Sequence, residues 1–253
     1  MPVEPVRLLW TGGWDSTYRL LSIVLVHQRA VEPHYIITGN RPSFPAELRT
    51  MGRIKTMLFD RVPEARELLH PMRITDVTDL RADEGTARQI RALKSVCYVG
   101  SQYEYLARYA KQTDIPGLEL CVEFSHHGGA YSFIKPVAVW TAADEQSGYY
   151  AIPPGTADPD VALFSWFRFP LLDYSKLHML EDARRHGFAD LLEHTWFCHR
   201  PLPGDKPCGR CRPCGYVVTE GLASRLPWRS RMRHYLHNVR WSGAMHRPAR
   251  SDS

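Results

Sequence analysis

Two groups of residues in this chain have types and spacings that could do chemistry. The first is the run Leu8-Leu9-Trp10-Thr11-Gly12-Gly13-Trp14-Asp15-Ser16-Thr17. An apolar stretch ends, two glycines turn the chain, and a helical pattern begins. Glycines let backbone N–H groups approach an oxyanion closely, and a helix start adds partial positive charge. Thr11, Ser16 and Thr17 can add hydroxyl donors. Asp15 would repel a phosphate directly, but it fits this place if it holds a Mg2+ that phosphates share. No Gly-Lys-Ser/Thr follows, so this is not the Walker loop. The plainer alternative is an ordinary βα turn capped by Ser16.

The second group is Cys198-x9-Cys208-x2-Cys211-x2-Cys214, four of the six cysteines in the chain. Thiolates at this spacing suit tetrahedral Zn2+ at about 2.3 Å. Gly209 and Gly215 each follow a cysteine, where a tight turn favours positive φ. Arg200, Lys206, Arg210 and Arg212 would offset the negative charge of a zinc tetrathiolate. No open coordination position is implied, so the site reads as structural, with an iron–sulfur cluster as the alternative. Cys97 and Cys121 read as small buried side chains rather than nucleophiles.

The elements that must position these groups follow from pattern. Short apolar runs predict strands over 6–10, 34–38, 73–77 and 118–124. Helices are predicted over 16–28, 47–59, 103–112 and 175–186, the last stopped by Gly187. Segment 142–160, rich in Asp, Gly and Pro, reads as a loop. Strands alternating with helices predict an α/β fold with a doubly wound, mainly parallel, Rossmann-like sheet. The expected division is an α/β domain over 1–190, a cysteine segment over 191–224 packed on it, and a basic tail over 225–253.

Hydrophobic residues at 44% and charged residues at 23% are ordinary for a globular chain. No run approaches the roughly 18 apolar residues that span a bilayer. The N-terminus is too short and too acidic for a signal peptide, so a soluble cytoplasmic protein with no membrane contact is expected. Seven arginines and one acid lie in 225–253, so the net charge of +5 resides in that tail. Such a tail is a solvated end or a surface for an RNA or protein acceptor.

The glycine run resembles the Ser-Gly-Gly-x-Asp-Ser signature of PP-loop ATPases, with Thr11 in place of Ser. Together with the cysteines, Ser175-Lys176 at a helix start and Thr195-Trp196-Phe197-Cys198, it resembles the 7-cyano-7-deazaguanine synthase family. The resemblance runs from Val6 to about Glu220. It implies the adenine nucleotide alpha hydrolase fold, with ATP, Mg2+ and structural Zn2+ as cofactors, and a homodimer. It also implies that ATP activates the carboxylate of 7-carboxy-7-deazaguanine. Ammonia then gives an amide, and a second activation gives the nitrile.

Carried over residue by residue, Gly12, Gly13, Asp15 and Ser16 hold phosphates and magnesium, joined by Thr11 and Thr17. Gly39, in Thr38-Gly39-Asn40-Arg41, corresponds loosely to a family Tyr-Gly-Gln and joins the nucleotide contacts. Lys176 neutralises the charge developing on pyrophosphate. Asp15, Ser16 and Lys176 are therefore the catalytic candidates. Gly100, Gln102 and His127 are candidate contacts to a deazaguanine-like substrate, in segments that depart from the family pattern. Three alternatives stay open: a diverged relative passing the acyl group to another amine, a PP-loop enzyme modifying tRNA, and a nucleotide-binding subunit without activity.

Overall fold

The computed structural model describes residues 4–39, 41–115, 117–125, 128–143, 148–156 and 158–244, with side chains to residue 237. Strand β1 (Val6–Leu9) leads through the glycine loop into α1 (Trp14–Leu21), which ends in a wider π turn over Ser22–Val26. There follow β2 (Val31–Ile37), α2 (Phe44–Arg61), α3 (Ala65–Leu68) and β3 (Arg73–Asp76). The middle of the chain forms α4 (Glu84–Val96), α5 (Gln102–Thr113), β4 (Leu118–Glu119), α6 (Ala130–Ile134), β5 (Val139–Ala142) and β6 (Gly148–Ala151). The last part forms β7 (Phe167–Phe169), α7 (Lys176–Arg185), α8 (Ala189–Glu193), α9 (Arg212–Thr219) and α10 (Trp228–Ala244).

The strands make one seven-stranded sheet in the order β3-β2-β1-β4-β7-β6-β5. The five strands from β3 to β7 run parallel, and β6 and β5 are added antiparallel. Successive side chains of a strand point to opposite faces, and the two faces carry separate cores. Leu8 and Tyr35 join the core under α1, α2, α7 and α8; Leu9 and Ile36 join the core under α4 and α5. Each buried Leu or Ile contributes about 1.5–3 kcal/mol relative to exposure. The mainly parallel α/β sheet expected from sequence is therefore present, with helices on both faces.

Several elements differ from expectation. Segment 142–160, read as a loop, contributes the end of β5 and all of β6. The hairpin is held by Trp140 packed edge-on to Tyr150 at 5.1 Å. Strand 118–124 pairs only over Leu118–Glu119. Leu120 N still donates to Arg168 O at 2.9 Å, and beyond it the chain leaves the ladder, so that Phe124 N reaches Tyr174 O at 3.1 Å. Helix α4 was not foreseen; Asp83 caps it by accepting from Thr86 N at 2.9 Å, and Ile90 and Leu93 are buried. The arginine-rich stretch is helical over α10. Ser230 Oγ donates to Pro207 O at 2.6 Å and Arg233 Nε to Cys208 O at 3.0 Å, which fastens α10 to the cysteine loop. Among the described residues no helix is long and apolar enough to cross a membrane.

Candidate functional site

The chain passes from β1 to β2 on one side and later returns to β4 on the other, so the strand order reverses at β1. A crevice opens there beyond the carboxyl ends of the strands, the usual place for a ligand in an open α/β sheet. The glycine loop fills its floor. Gly12 has φ +70°, and a Cβ there would press on Met51 Cγ at 3.0 Å. Gly12 O accepts from Trp196 N at 2.8 Å, which ties the loop to the segment before the cysteines. Gly13, not Ser16, is the N-cap of α1. Ser16 lies inside the first turn and its Oγ sits 3.3 Å from Thr11 N and 3.4 Å from Thr11 Oγ1. Thr11, Gly13, Asp15 and Ser16 line a cavity of about 150 Å3. Thr17 does not line it. One position further round the helix, Thr17 is fully buried and accepts from Trp10 Nε1 at 3.0 Å.

Lys176 opens α7, where Ser175 accepts from His178 N at 3.2 Å as cap. A cation is out of place at a helix start. Here three carboxylates explain it: Nζ is 3.0 Å from Asp15 Oδ1, paired with Glu123, and 3.6 Å from Glu220 Oε2. Burial opposes the charge on Lys176, but Asp15, Glu123 and Glu220 outweigh it and raise its pKa. Burial and the negative charge of Asp15 push the Glu123 carboxyl up to about 9, against the pull of Lys176. The cluster thus gathers three carboxyl groups around one lysine, with Glu123 favouring its protonated form while no further cation is present, and its oxygens are a donor set that suits a divalent cation.

The other candidates are placed unevenly. Gln102, the first residue of α5, lines the cavity at the glycine loop and a second one beside it. Gly100 and Gly39 are not among the residues lining either cavity. His127 lies outside the described residues. Cys121, half-buried, lines the first cavity, and desolvation pushes its thiol well up, which disfavours the thiolate that a nucleophile needs. Sequence reasoning missed Glu123 and Glu220, and named Arg41, Trp196 and Phe197 only within motif segments, without a role at the site. Arg225, whose side chain is only 4% exposed, was also missed, because it opens the arginine-rich stretch read as tail.

The four cysteines come together as the spacing predicts. Their sulfurs all lie within 4.8 Å of one another, with Cys211 Sγ 3.4 Å from Cys214 Sγ and 3.8 Å from Cys198 Sγ. Tetrahedral zinc–thiolate bonds of about 2.3 Å set sulfurs about 3.8 Å apart, so the cluster fits a metal ion such as zinc. Backbone donors support the sulfurs: Cys208 N reaches Cys198 Sγ at 3.2 Å, and Arg210 N and Cys211 N reach Cys208 Sγ at 3.3 Å. Gly209 has φ +78° and faces the Ser230 carbonyl with no room for a Cβ. No protein-family model matches this chain, and no curated protein matches it.

Proposed function

We propose that this chain is an ATP-dependent carbon–nitrogen ligase of the PP-loop kind, which activates the carboxylate of 7-carboxy-7-deazaguanine for attack by ammonia or another amine. One observation carries the reading. A Thr-Gly-Gly-x-Asp-Ser loop leaves the sheet where the strand order reverses, and α7 delivers Lys176 to within 3.0 Å of its aspartate. Such an arrangement suits phosphate chemistry by positioning and charge, with no nucleophilic side chain required.

In this reading the first cavity takes ATP. The apolar strand ends Leu9, Ile36 and Leu120 pack against the nucleoside. Thr11, Gly13 and Ser16 turn donors toward the phosphates. Asp15 and Glu123, which share Lys176, would hold a Mg2+, which would supply charge neutralisation for the polyphosphate. Lys176 balances charge on the departing pyrophosphate. The substrate carboxylate oxygen bonds to the α-phosphorus as the bond to pyrophosphate breaks, giving an acyl adenylate. The amine then bonds to the acyl carbon and AMP leaves with the electron pair. The cysteine cluster holds Zn2+ as a structural ion.

The test is pyrophosphate release from ATP on adding 7-carboxy-7-deazaguanine. Release that depends on the acid and falls at least a hundredfold in Asp15→Ala supports the reading. Equal release from both proteins removes Asp15 and the loop from the chemistry.

A further inference from the structure

Helix α10 is fastened to the rest of the chain by one side. Ser230, 1% exposed, donates to Pro207 O at 2.6 Å. Arg233 donates from Nε to Cys208 O at 3.0 Å and from Nη2 to Pro207 O at 3.1 Å, and His234 Nδ1 lies 3.2 Å from Gly209 O. These carbonyls belong to the cysteine loop, whose sulfurs gather within 4.8 Å of one another, so α10 stands on a braced base. The opposite side carries Trp228, Met232, Tyr235 and Leu236, which are 64%, 51%, 65% and 55% exposed. At about 3.6 residues per turn these four positions share an arc of about 100°. Arg229 and Arg231, both exposed, fall on the two edges of that arc. An exposed apolar stripe rimmed by charge marks an interaction site.

Charge and chemistry decide the occupant. Residues 222–251 contain no acid, so a second copy of α10 laid against the first would set arginine against arginine. The chain's own last residues, 246–253, hold two more arginines, one aspartate and no large apolar side chain, which matches neither the stripe nor its rim. Met232 and Leu236 offer no planar face for a base to stack on, and the Trp228 ring already has the Arg229 guanidinium 5.3 Å from its centre, which disfavours nucleic acid. The stripe covers only about 12 Å of helix at about 1.5 Å per residue, on a rigid base; that suits a pre-organised contact with protein better than burial in a lipid surface. Tryptophan, tyrosine, methionine and arginine are also the side chains that protein interfaces favour, and lysine, which they avoid, is missing from 225–253.

We propose that this face of α10 docks a separate protein through an acidic amphipathic helix, one whose apolar stripe is rimmed by Asp and Glu. Apolar side chains of that helix lie across Met232 and Leu236, between the Trp228 and Tyr235 rings. Its carboxylates pair with Arg229 and Arg231 on either side. The face lies outside both cavities at the glycine loop, so its role stands or falls apart from acyl activation.

Fluorescence anisotropy tests it, with the full chain and two labelled synthetic helices as probes. The helices share one leucine stripe, rimmed by glutamate in the first and by lysine in the second. The expected result is at least tenfold tighter binding of the glutamate helix. Met232→Glu with Leu236→Glu should weaken that binding at least tenfold. Arg229→Glu with Arg231→Glu should reverse the preference, so that the lysine helix binds better. Equal affinity of the wild type for the two helices overturns the assignment, as does no binding of either, and so does binding that both variants leave unchanged. Vesicles of mixed phosphatidylglycerol and phosphatidylcholine and a short single-stranded RNA are titrated in parallel. Tighter binding of either than of the glutamate helix, lost in Met232→Glu with Leu236→Glu, gives the face to a membrane or to RNA and overturns the protein partner. Should the variants not fold, the comparison of the two helices on the wild type still decides.

Discussion

At the residue scale, Lys176 has two duties that a single substitution separates from simple surface charge. It is largely buried and is the one cation within 4 Å of Asp15, Glu123 and Glu220 among the described ion pairs. If the proposed acyl activation holds, Lys176→Met should slow ATP-dependent pyrophosphate release about a hundredfold or more, because the cation proposed to offset charge on the departing pyrophosphate is lost. It should also lower stability by about 3 kcal/mol, since buried carboxylates are left uncompensated; urea unfolding reads this independently of activity. His34 gives a second prediction. It is fully buried beneath Tyr109, whose hydroxyl is 2.6 Å from Nδ1. Burial lowers its pKa from 6.5 to about 4, although Glu32 pulls the other way. Between these values the unfolded chain binds a proton that the folded chain does not. Stability from this group is therefore complete above pH 6.5 and falls as pH drops toward 4, by up to about 3 kcal/mol. His34→Asn should flatten the melting temperature between pH 6.5 and 4; an unchanged slope would contradict the assignment. Asp15, Ser16 and Lys176 were legible in the sequence because glycines and helix starts leave local marks. Glu123 and Glu220 were not, because what makes them matter is the approach of three distant segments to one lysine.

At the element scale, the cysteine loop and α10 depend on one glycine. Gly209→Ala should strain the loop at φ +78° and drive a Cβ into the Ser230 carbonyl, lowering stability by about 2–3 kcal/mol. Hydrogen exchange should then rise in α10 before the sheet; uniform exchange across the chain would argue that α10 does not dock as a separate unit. Metal removal makes a related prediction. Phe197 precedes Cys198 and Tyr216 follows Cys214 by two positions, so the cluster holds one wall of the second cavity. Chelation should raise hydrogen exchange over α9 and α10 tenfold or more and leave ATP binding nearly unchanged; loss of ATP binding as well would mean that the metal supports the whole fold. Helices α1, α2, α5 and α7 were readable from apolar spacing. Helix α10 was hidden by its arginines, although Trp228, Met232, Tyr235 and Leu236 recur at helical spacing on its exposed side. The β5–β6 hairpin was hidden by loop-forming residues on either side, and β4 looked longer than it is because an apolar run continues after its ladder ends.

At the scale of the whole molecule, one sheet divides two cores, and the chain's two ends meet over its switch point. The N-terminal glycine loop supplies the floor. The C-terminal segment supplies the aromatic Trp196, Phe197 and Tyr216, the largely buried Arg225 and the cysteine cluster, joined to the floor by the Trp196 N to Gly12 O bond of 2.8 Å. That long-range joining was the part least visible in the sequence, since nothing local marks which distant segments close over a loop. The central claim is that this assembly activates an acid with ATP for attack by an amine. The most direct measurement is mass spectrometry of products after the chain is incubated with ATP, Mg2+ and 7-carboxy-7-deazaguanine, with and without ammonium, beside Asp15→Ala. The account predicts AMP and pyrophosphate together with an amide or nitrile that requires ammonium and the aspartate. Unchanged acid with no AMP formed would contradict it.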